Sequence, residues 1–379
     1  MANLKVDTVS GIGTEGPVLN GGLHFRSKNY LTLPKGTTTE RTATSSGIST
    51  VVGSIRYNTD SNKMECYVND KWMIVSTSSS DLDGGSGRGV AAGGNDPAAI
   101  DVIEYITIST QGNSIDFGNL NQATQSMPGG TGSSTRGVIG GGQGSPATLN
   151  IIDFITFSST GNASDFGDLT TARRQPAVTG SQTRGIFSGG EVSPTHSNIM
   201  DYVTIAATGN AVDFGDLSVA RRVAGAASSP TRSLIFGGYA APAGLNTIDY
   251  VTTSTLGNAF DFGDIAAARY SLGAVSSKTR AVAMGGYLVS PGAAVDTTEY
   301  VTIATKGNSQ DFGNLTEVIF AAQYASNSIR GVRMGGAGTP LDTSMDYINI
   351  PTTGDAVFFG DLLTRHQEGA GCSNAHGGL

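Results

Sequence analysis

The chain has 379 residues, a formal net charge of −8 and a pI near 5.0, with only 14% charged residues and no cluster of Lys and Arg. Binding to a phosphate backbone works by displacing counterions with clustered cations, so no nucleic-acid partner is expected. The 54 glycines, about twice the usual share, and the 38% of apolar residues suit short strands joined by tight turns, and the expected class is all-β.

The start, Met1 to Ser10, carries no apolar h-region, and no run approaches the ~18 apolar residues of a membrane span, so neither classical secretion nor membrane insertion is expected. Cys66 and Cys372 fall in regions that read as different domains, which argues against a disulfide framework. Residues 1–32 are Gly-rich and weakly patterned, with Leu19, Leu23, Phe25 and Tyr30 as apolar points, and read as an extended segment.

Residues 33–76 contain a small meander: a strand Ile55 to Asn58, a Thr-Asp-Ser-Asn turn, a strand Met64 to Val68, an Asn-Asp turn and a strand Trp72 to Val75. So short a meander buries too little apolar surface to offset chain entropy, so it needs a partner. That partner is either the rest of the chain or further copies, with Ile55, Tyr57, Met64 and Trp72 as candidate oligomerisation residues. The string from Leu33 to Val75, L-P-K-G-T-T-T-E-R followed by G-S-I-R-Y-N-T and E-C-Y with a Trp, resembles a segment of tail-fibre and other virion proteins of tailed bacteriophages, notably marine ones. The resemblance implies a virion location and attachment to other virion proteins through the N-terminal segment; the homotrimer is expected because the segment is too small for a private core and two further copies would complete a shared one. Residues 77–83 lie in a polar Ser/Thr-rich stretch and read as a linker.

From residue 84 to 379 one phrase recurs. Its D-F-G block begins at Asp116, Asp165, Asp213, Asp261 and Asp311, and a sixth copy reads Phe358-Phe359-Gly360, giving spacings of 49, 48, 48, 50 and 47. In the third copy, Thr183 to Gly190 is a strand closed by a glycine pair, and Ile199 to Ile205 alternates as a strand should. Thr208-Gly209-Asn210 reads as a tight hairpin, Asp213-Phe214-Gly215 lies on the strand that leaves it, and Val223 to Ala227 is a strand of small residues. Four strands per period, the last restricted to small residues, is the pattern of a propeller blade whose innermost strand crowds the axis. The glycine pairs at 93, 141, 189, 237, 285 and 335, the aromatic third strand, and Arg173, Arg221 and Arg269 (with Arg365 as a further counterpart, and Thr124 and Ile319 as replacements) resemble the kelch repeat. The resemblance implies a six-bladed kelch-like β-propeller over 84–379. The region opens on a second strand at Arg88 and ends on a first strand at Glu368 to Ser373, so the C-terminal strand is expected to complete the N-terminal blade and remove its open edge.

Chemistry is sparse in this pattern. D-F-G at blade spacing, without H-R-D or a strand lysine, is structural and not a kinase motif. The pairs Asp165/Asp168 and Asp213/Asp216 offer oxygens for calcium, but Asp116 and Asp311 have only Asn counterparts, and turn stabilisation is expected. Carboxylates that break the repeat, Glu191, Asp296, Glu317 and Glu368, show no recognisable partner for a glycosidase pair. Kelch-like copper oxidases use two tyrosines, two histidines and a cysteine, whereas this region offers only His196, His366 and His376 with Cys372. No catalytic residue, metal or cofactor is therefore expected. The loops between second and third strands vary most, and His196, Tyr239 and Tyr287 are the candidate ligand-face residues. The leading expectation is a phage virion fibre or appendage that presents the propeller to a host-surface glycan or protein. Its rivals are a capsid or tail decoration protein and a glycan-degrading propeller enzyme.

Overall fold

The computed structural model describes residues 33–42, 52–60, 63–68, 71–74, 87–126, 129–338 and 343–379. The expectations for residues 1–32, with Leu19, Leu23, Phe25 and Tyr30, and for the linker 77–83 lie outside the described residues. The fold is all-β, built from many mostly antiparallel sheets, with one 3-10 turn at Thr39–Thr42 and no α-helix among the described residues. Two compact units divide the chain, Met1–Ser79 and Ser80–Leu379.

The described part of the first unit is one four-stranded sheet. Ile55–Asn58, Lys63–Val68 and Lys71–Ile74 form the antiparallel meander, and Lys35–Gly36 adds a short parallel strand beside Ile55–Asn58 that the sequence pattern did not announce. Register divides the candidate oligomerisation residues. Ile55, Tyr57 and Met64 share one face with Cys66, Val68 and Met73, because Ile55 opposes Cys66, Cys66 opposes Met73, and Tyr57 opposes Met64. Trp72 does not join them. It opposes Tyr67 on the other face, its ring 5.4 Å from Tyr67 and 5.6 Å from the Arg56 guanidinium. That face also holds Glu65, fully buried, which pairs with Arg41 and accepts a hydrogen bond from Asn58 (2.8 Å).

Among its described residues the second unit contains six four-stranded sheets of one plan. In the third (sheet III) the strands are Ala177–Gly180, Arg184–Ser188, Ile199–Thr204 and Val212–Asp216, paired antiparallel in that order. Sheets II, IV, V and VI begin at Gly130–Gly132, Gly225–Ser228, Gly273–Ser276 and Gln323–Ser326. Sheet I combines the two ends of the unit: Ala370–Ser373 pairs with Arg88–Ala92, with Cys372 opposite Val90. First strands neighbour one another in the order I to VI and back to I. An apolar core fills every seam, and each contains the Phe of one D-F-G copy: Phe117, Phe166, Phe214, Phe262, Phe312 and Phe359.

Four devices repeat at the seams, and each explains a recurring residue. The Arg that opens each second strand, such as Arg184, stacks on the Tyr or Phe of its own third strand (4.7 Å to Tyr202) and donates to a carbonyl of the next sheet (3.2 Å to Thr253 O). Arg330 does the same at the closing seam, donating to Ile108 O and Ser109 O. The Thr-Gly-Asn segment is not the hairpin turn that its composition suggests. The chain reverses earlier, where Ala207 N–H donates to Thr204 O, and Gly209 to Ala211 then runs along the outer strand of sheet II. Gly209 N–H donates to Phe166 O (2.7 Å), Ala211 N–H donates to Asp168 O (2.7 Å), and Asn210 Oδ1 accepts from Asp168 N–H (3.1 Å). The Gly of D-F-G follows from this strap, since a Cβ on Gly167 would lie 2.5 Å from the Gly209 carbonyl oxygen. The Asp of D-F-G lies within an exposed outer strand, not in a turn, so turn stabilisation does not describe Asp213.

The third device is a buried ion pair. Arg173 meets Asp201 at 2.9 Å, Arg221 meets Asp249 at 3.0 Å, and Arg269 meets Glu299 at 3.3 Å. Each carboxylate also anchors the connection arriving from the preceding sheet, as Asp201 does by accepting from Thr170 N–H and Oγ1–H. In sheet VI, Ile319 replaces the connection Arg, and Arg333 on the second strand supplies the cation to Asp346 (2.7 Å). In sheet I the counterpart is His366 and not Arg365. His366 Nε2 lies 3.3 Å from Glu104 and its Nδ1 lies 2.7 Å from Gly93 O, while Arg365 pairs outward with Asp96. In sheet II, Thr124 leaves Asp153 with Asn121 alone (2.6 Å), and burial raises the Asp153 carboxyl.

The fourth device surrounds the axis. Six non-glycine residues with positive φ, Ser126, Gln175, Val223, Ser271, Ala321 and Glu368, stand one per sheet just before the first strands. From Ser126 to Glu368 each is linked to the next by a backbone hydrogen bond, as from Val223 N–H to Gln175 O (3.2 Å) and from Ser271 N–H to Val223 O (2.8 Å), and Ser126 Oγ–H donates to the Glu368 carboxylate (2.7 Å). A β-branched residue such as Val223 rarely adopts φ of 49°, and here the hoop engages both its N–H and its C=O. The expected first strand from Val223 accordingly starts later, at Gly225.

Candidate functional site

A rim of paired residues lies just outside the hoop. In every sheet the residue that precedes the hoop position bridges to the residue that follows the glycine pair. The pairs are Gln367 with Asn95, Gln125 with Gln143, Arg174 with Glu191, Arg222 with Tyr239, Tyr270 with Tyr287, and Phe320 with Ala337. The glycine pair makes the bridge possible. Gly237 and Gly238 have φ of 56° and 106°, and a Cβ on Gly237 would lie 2.6 Å from Arg269 O. Tyr239 can then exchange both backbone hydrogen bonds with Arg222 (2.9 and 3.1 Å). The variable loops continue as two-residue hairpins, Glu191–Val192 with Thr195–His196, Tyr239–Ala240 with Ala243–Gly244, and Tyr287–Leu288 with Ala293–Ala294.

The rim is chemically lopsided. The rings of His196 and Tyr239 stand 5.6 Å apart, Tyr239 and Tyr270 5.4 Å, Tyr270 and Tyr287 5.5 Å, and Tyr287 and Phe320 5.2 Å, so five half-buried rings form one continuous arc. The three candidates read from the sequence are thereby brought together. Tyr270 and Phe320, which the loop-centred reading missed, supply the links between them. The signal that finds these two is the repeat itself, because both follow the connection position (Arg269, Ile319) at the same offset as Arg174 and Arg222. In sheets I and II the paired positions are amides, Gln367 with Asn95 and Gln125 with Gln143, and the Gln143 amide bonds its own loop at Gly144 O (2.9 Å) and Thr148 Oγ1 (3.2 Å).

Glu191 is buried between Arg174 (2.6 Å) and Arg222 (2.9 Å), so this carboxylate has the partners that its sequence context did not reveal. Glu317 likewise meets Arg333 (2.9 Å), and Glu368 accepts from Ser126 Oγ–H (2.7 Å). Arg222 also stacks on Tyr239 at 5.4 Å and donates to Gln175 Oε1 (2.8 Å). Burial, with Arg222 nearby, lowers the His196 imidazole, which is therefore neutral at neutral pH, and burial raises the Tyr270 phenol. Inside the hoop lies a small open depression lined by Gln175, Val223, Ser271, Ala321 and Glu368 among others. Another lies among the first strands, beside Tyr324, Cys372 and His376. Burial pushes the Cys372 thiol up to about 12, so Cys372 acts as a small apolar side chain there.

Among the described residues no group of three or more His, Cys, Asp or Glu is placed to hold a metal ion. No family model and no curated protein matches the chain. The rim thus sets aromatic rings on one side and side-chain amides on the other, over a backbone held by hydrogen bonds.

Proposed function

We propose that the six sheets are the blades of a six-bladed kelch-like β-propeller in a tailed-phage virion protein, a fibre or appendage whose propeller recognises a host-surface component. The cyclic order of first strands, the apolar core in each of six seams, and the pairing of Ala370–Ser373 with Arg88–Ala92 support the propeller. The Leu33 to Val75 resemblance supports the virion role. The outward apolar face of the small sheet supports a homotrimer joined through residues 33–76. The observation that carries the recognition role is the rim. The seam devices repeat around the molecule, whereas the paired rim positions differ in all six sheets, and variation on a fixed frame is where recognition concentrates.

Adsorption of the labelled full-length protein to the bacteria that the particle infects tests this reading. The double variant Tyr239→Ala/Tyr287→Ala should lower adsorption about tenfold, roughly 1.4 kcal/mol, without changing the melting temperature. Absence of adsorption, with the protein seen by electron microscopy bridging subunits of the particle, would replace recognition by decoration.

A further inference from the structure

We propose that the rim is a saccharide-binding site for a neutral oligosaccharide, whose pyranose C–H faces lie on the arc from Tyr239 to Phe320 and whose hydroxyls reach the amides of sheets I and II. This rests on the host-recognition reading and names its ligand class. Three observations select a sugar over a peptide or an anion. The first is the arc itself: from Tyr239 to Phe320 half-buried rings pack against one another 5.2 to 5.5 Å apart and tilted by 47 to 67°, a continuous apolar strip for C–H faces. The second is the amide side. Gln125 and Gln367 each carry a donor and an acceptor on one planar group, which suits vicinal hydroxyls. The third is charge. The rim's cations Arg174 and Arg222 are both held by the buried Glu191, and Arg365 beside the rim is paired with Asp96. Such a surface gives no advantage to a sialylated, uronic or phosphorylated ligand. The hoop beneath keeps Arg222, Tyr270 and Phe320 at fixed spacing, because their next residues, Val223, Ser271 and Ala321, hydrogen-bond in series. The rings are therefore preorganised, and binding orders few side chains.

The test titrates the full-length protein with glucose-, galactose- and mannose-based hexasaccharides and with one uronic-acid hexasaccharide, read by saturation-transfer NMR and calorimetry. At least one neutral hexasaccharide should bind with Kd of about 1 mM or tighter. Tyr270→Ala should weaken that binding about tenfold or more, Tyr270→Phe should retain it, and Val212→Ser on an outer strand should have no effect, with melting temperatures of all variants within about 2 °C. Two results overturn the inference while leaving host recognition standing: adsorption to cells without binding of any neutral hexasaccharide, or preference for the uronic-acid probe. A protein that binds neither cells nor saccharides removes the host-recognition reading as well. Binding that survives Tyr270→Ala unchanged places the sugar elsewhere and also overturns the proposal.

Discussion

In the small sheet of residues 35–74 one face holds Arg41 on the buried Glu65, with Asn58 and the Tyr67–Trp72 ring pair, while on the other Ile55, Met64, Val68 and Met73 are 36 to 56% exposed. Each of the six larger sheets has apolar cores on both faces, and in sheets III to VI the buried charges sit within the seams as matched pairs. The difference is one of completeness. A cyclic set of sheets supplies each face with a neighbour from the same chain, and exposed apolar side chains such as Val212 and Phe260 lie on outer strands. A single four-stranded sheet cannot do this, and its outward face matches the proposed homotypic contact around a threefold axis.

The sharpest way to break the contrast is to undo the closure. A chain ending at Thr364 loses the strand opposite Arg88–Ala92 together with His366, leaving Glu104 buried without its ring partner. It should aggregate or melt at a far lower temperature by circular dichroism, and an unchanged melt would show that closure does not depend on that strand. Next in size is a seam ion pair. Arg221→Ala leaves Asp249 buried and uncompensated, for a loss of about 3–5 kcal/mol, whereas Arg221→Met combined with Asp249→Leu should recover most of it. Chemical denaturation of the three proteins measures both values.

The small sheet is probed by charge on its outer face. Met73→Glu should turn the proposed trimer into a monomer in sedimentation experiments and weaken adsorption to a crowded surface by about 10²-fold, since linked sites are lost together. Trp72→Ala, on the opposite face with Tyr67 and Arg56, should leave the assembly state unchanged.

The smallest effects concern pH and have opposite signs at two seams. Burial acts to raise Glu104, but hydrogen bonds from His366 and Ser114, the His366 charge and the Leu363 N–H together hold it below the ordinary value of 4.5. Folding weakens its proton binding, so its stabilisation is complete above 4.5 and disappears as pH falls through the folded value. Asp153 is raised from 3.8 by burial, so it holds its proton more tightly when folded, and stability falls as pH rises through its raised value. Melting curves between roughly pH 3 and 7 should show a flatter acid limb for Glu104→Gln, and a gain of about 2 °C at pH 7 for Asp153→Asn.

The repeat period, the all-β class, the four strands per repeat and the pairing of the two ends of the second unit were determined by local sequence. Strand alternation, glycine pairs and strand phase act over a few residues and leave their period in the chain. The role of a residue in a seam was not local. Thr-Gly-Asn looks like a turn and acts as a strap, because its hydrogen-bond partners are about 40 residues away on another sheet. Trp72 and Met73 are neighbours in sequence, and only strand register places them on opposite faces. Arg333 can replace the missing connection Arg because pairing sets it opposite Asp346. The aromatic arc belongs to the same class. His196, Tyr239 and Tyr287 could be singled out as loop residues, but Tyr270 and Phe320 joined them only when folding brought the connections of four sheets around one axis.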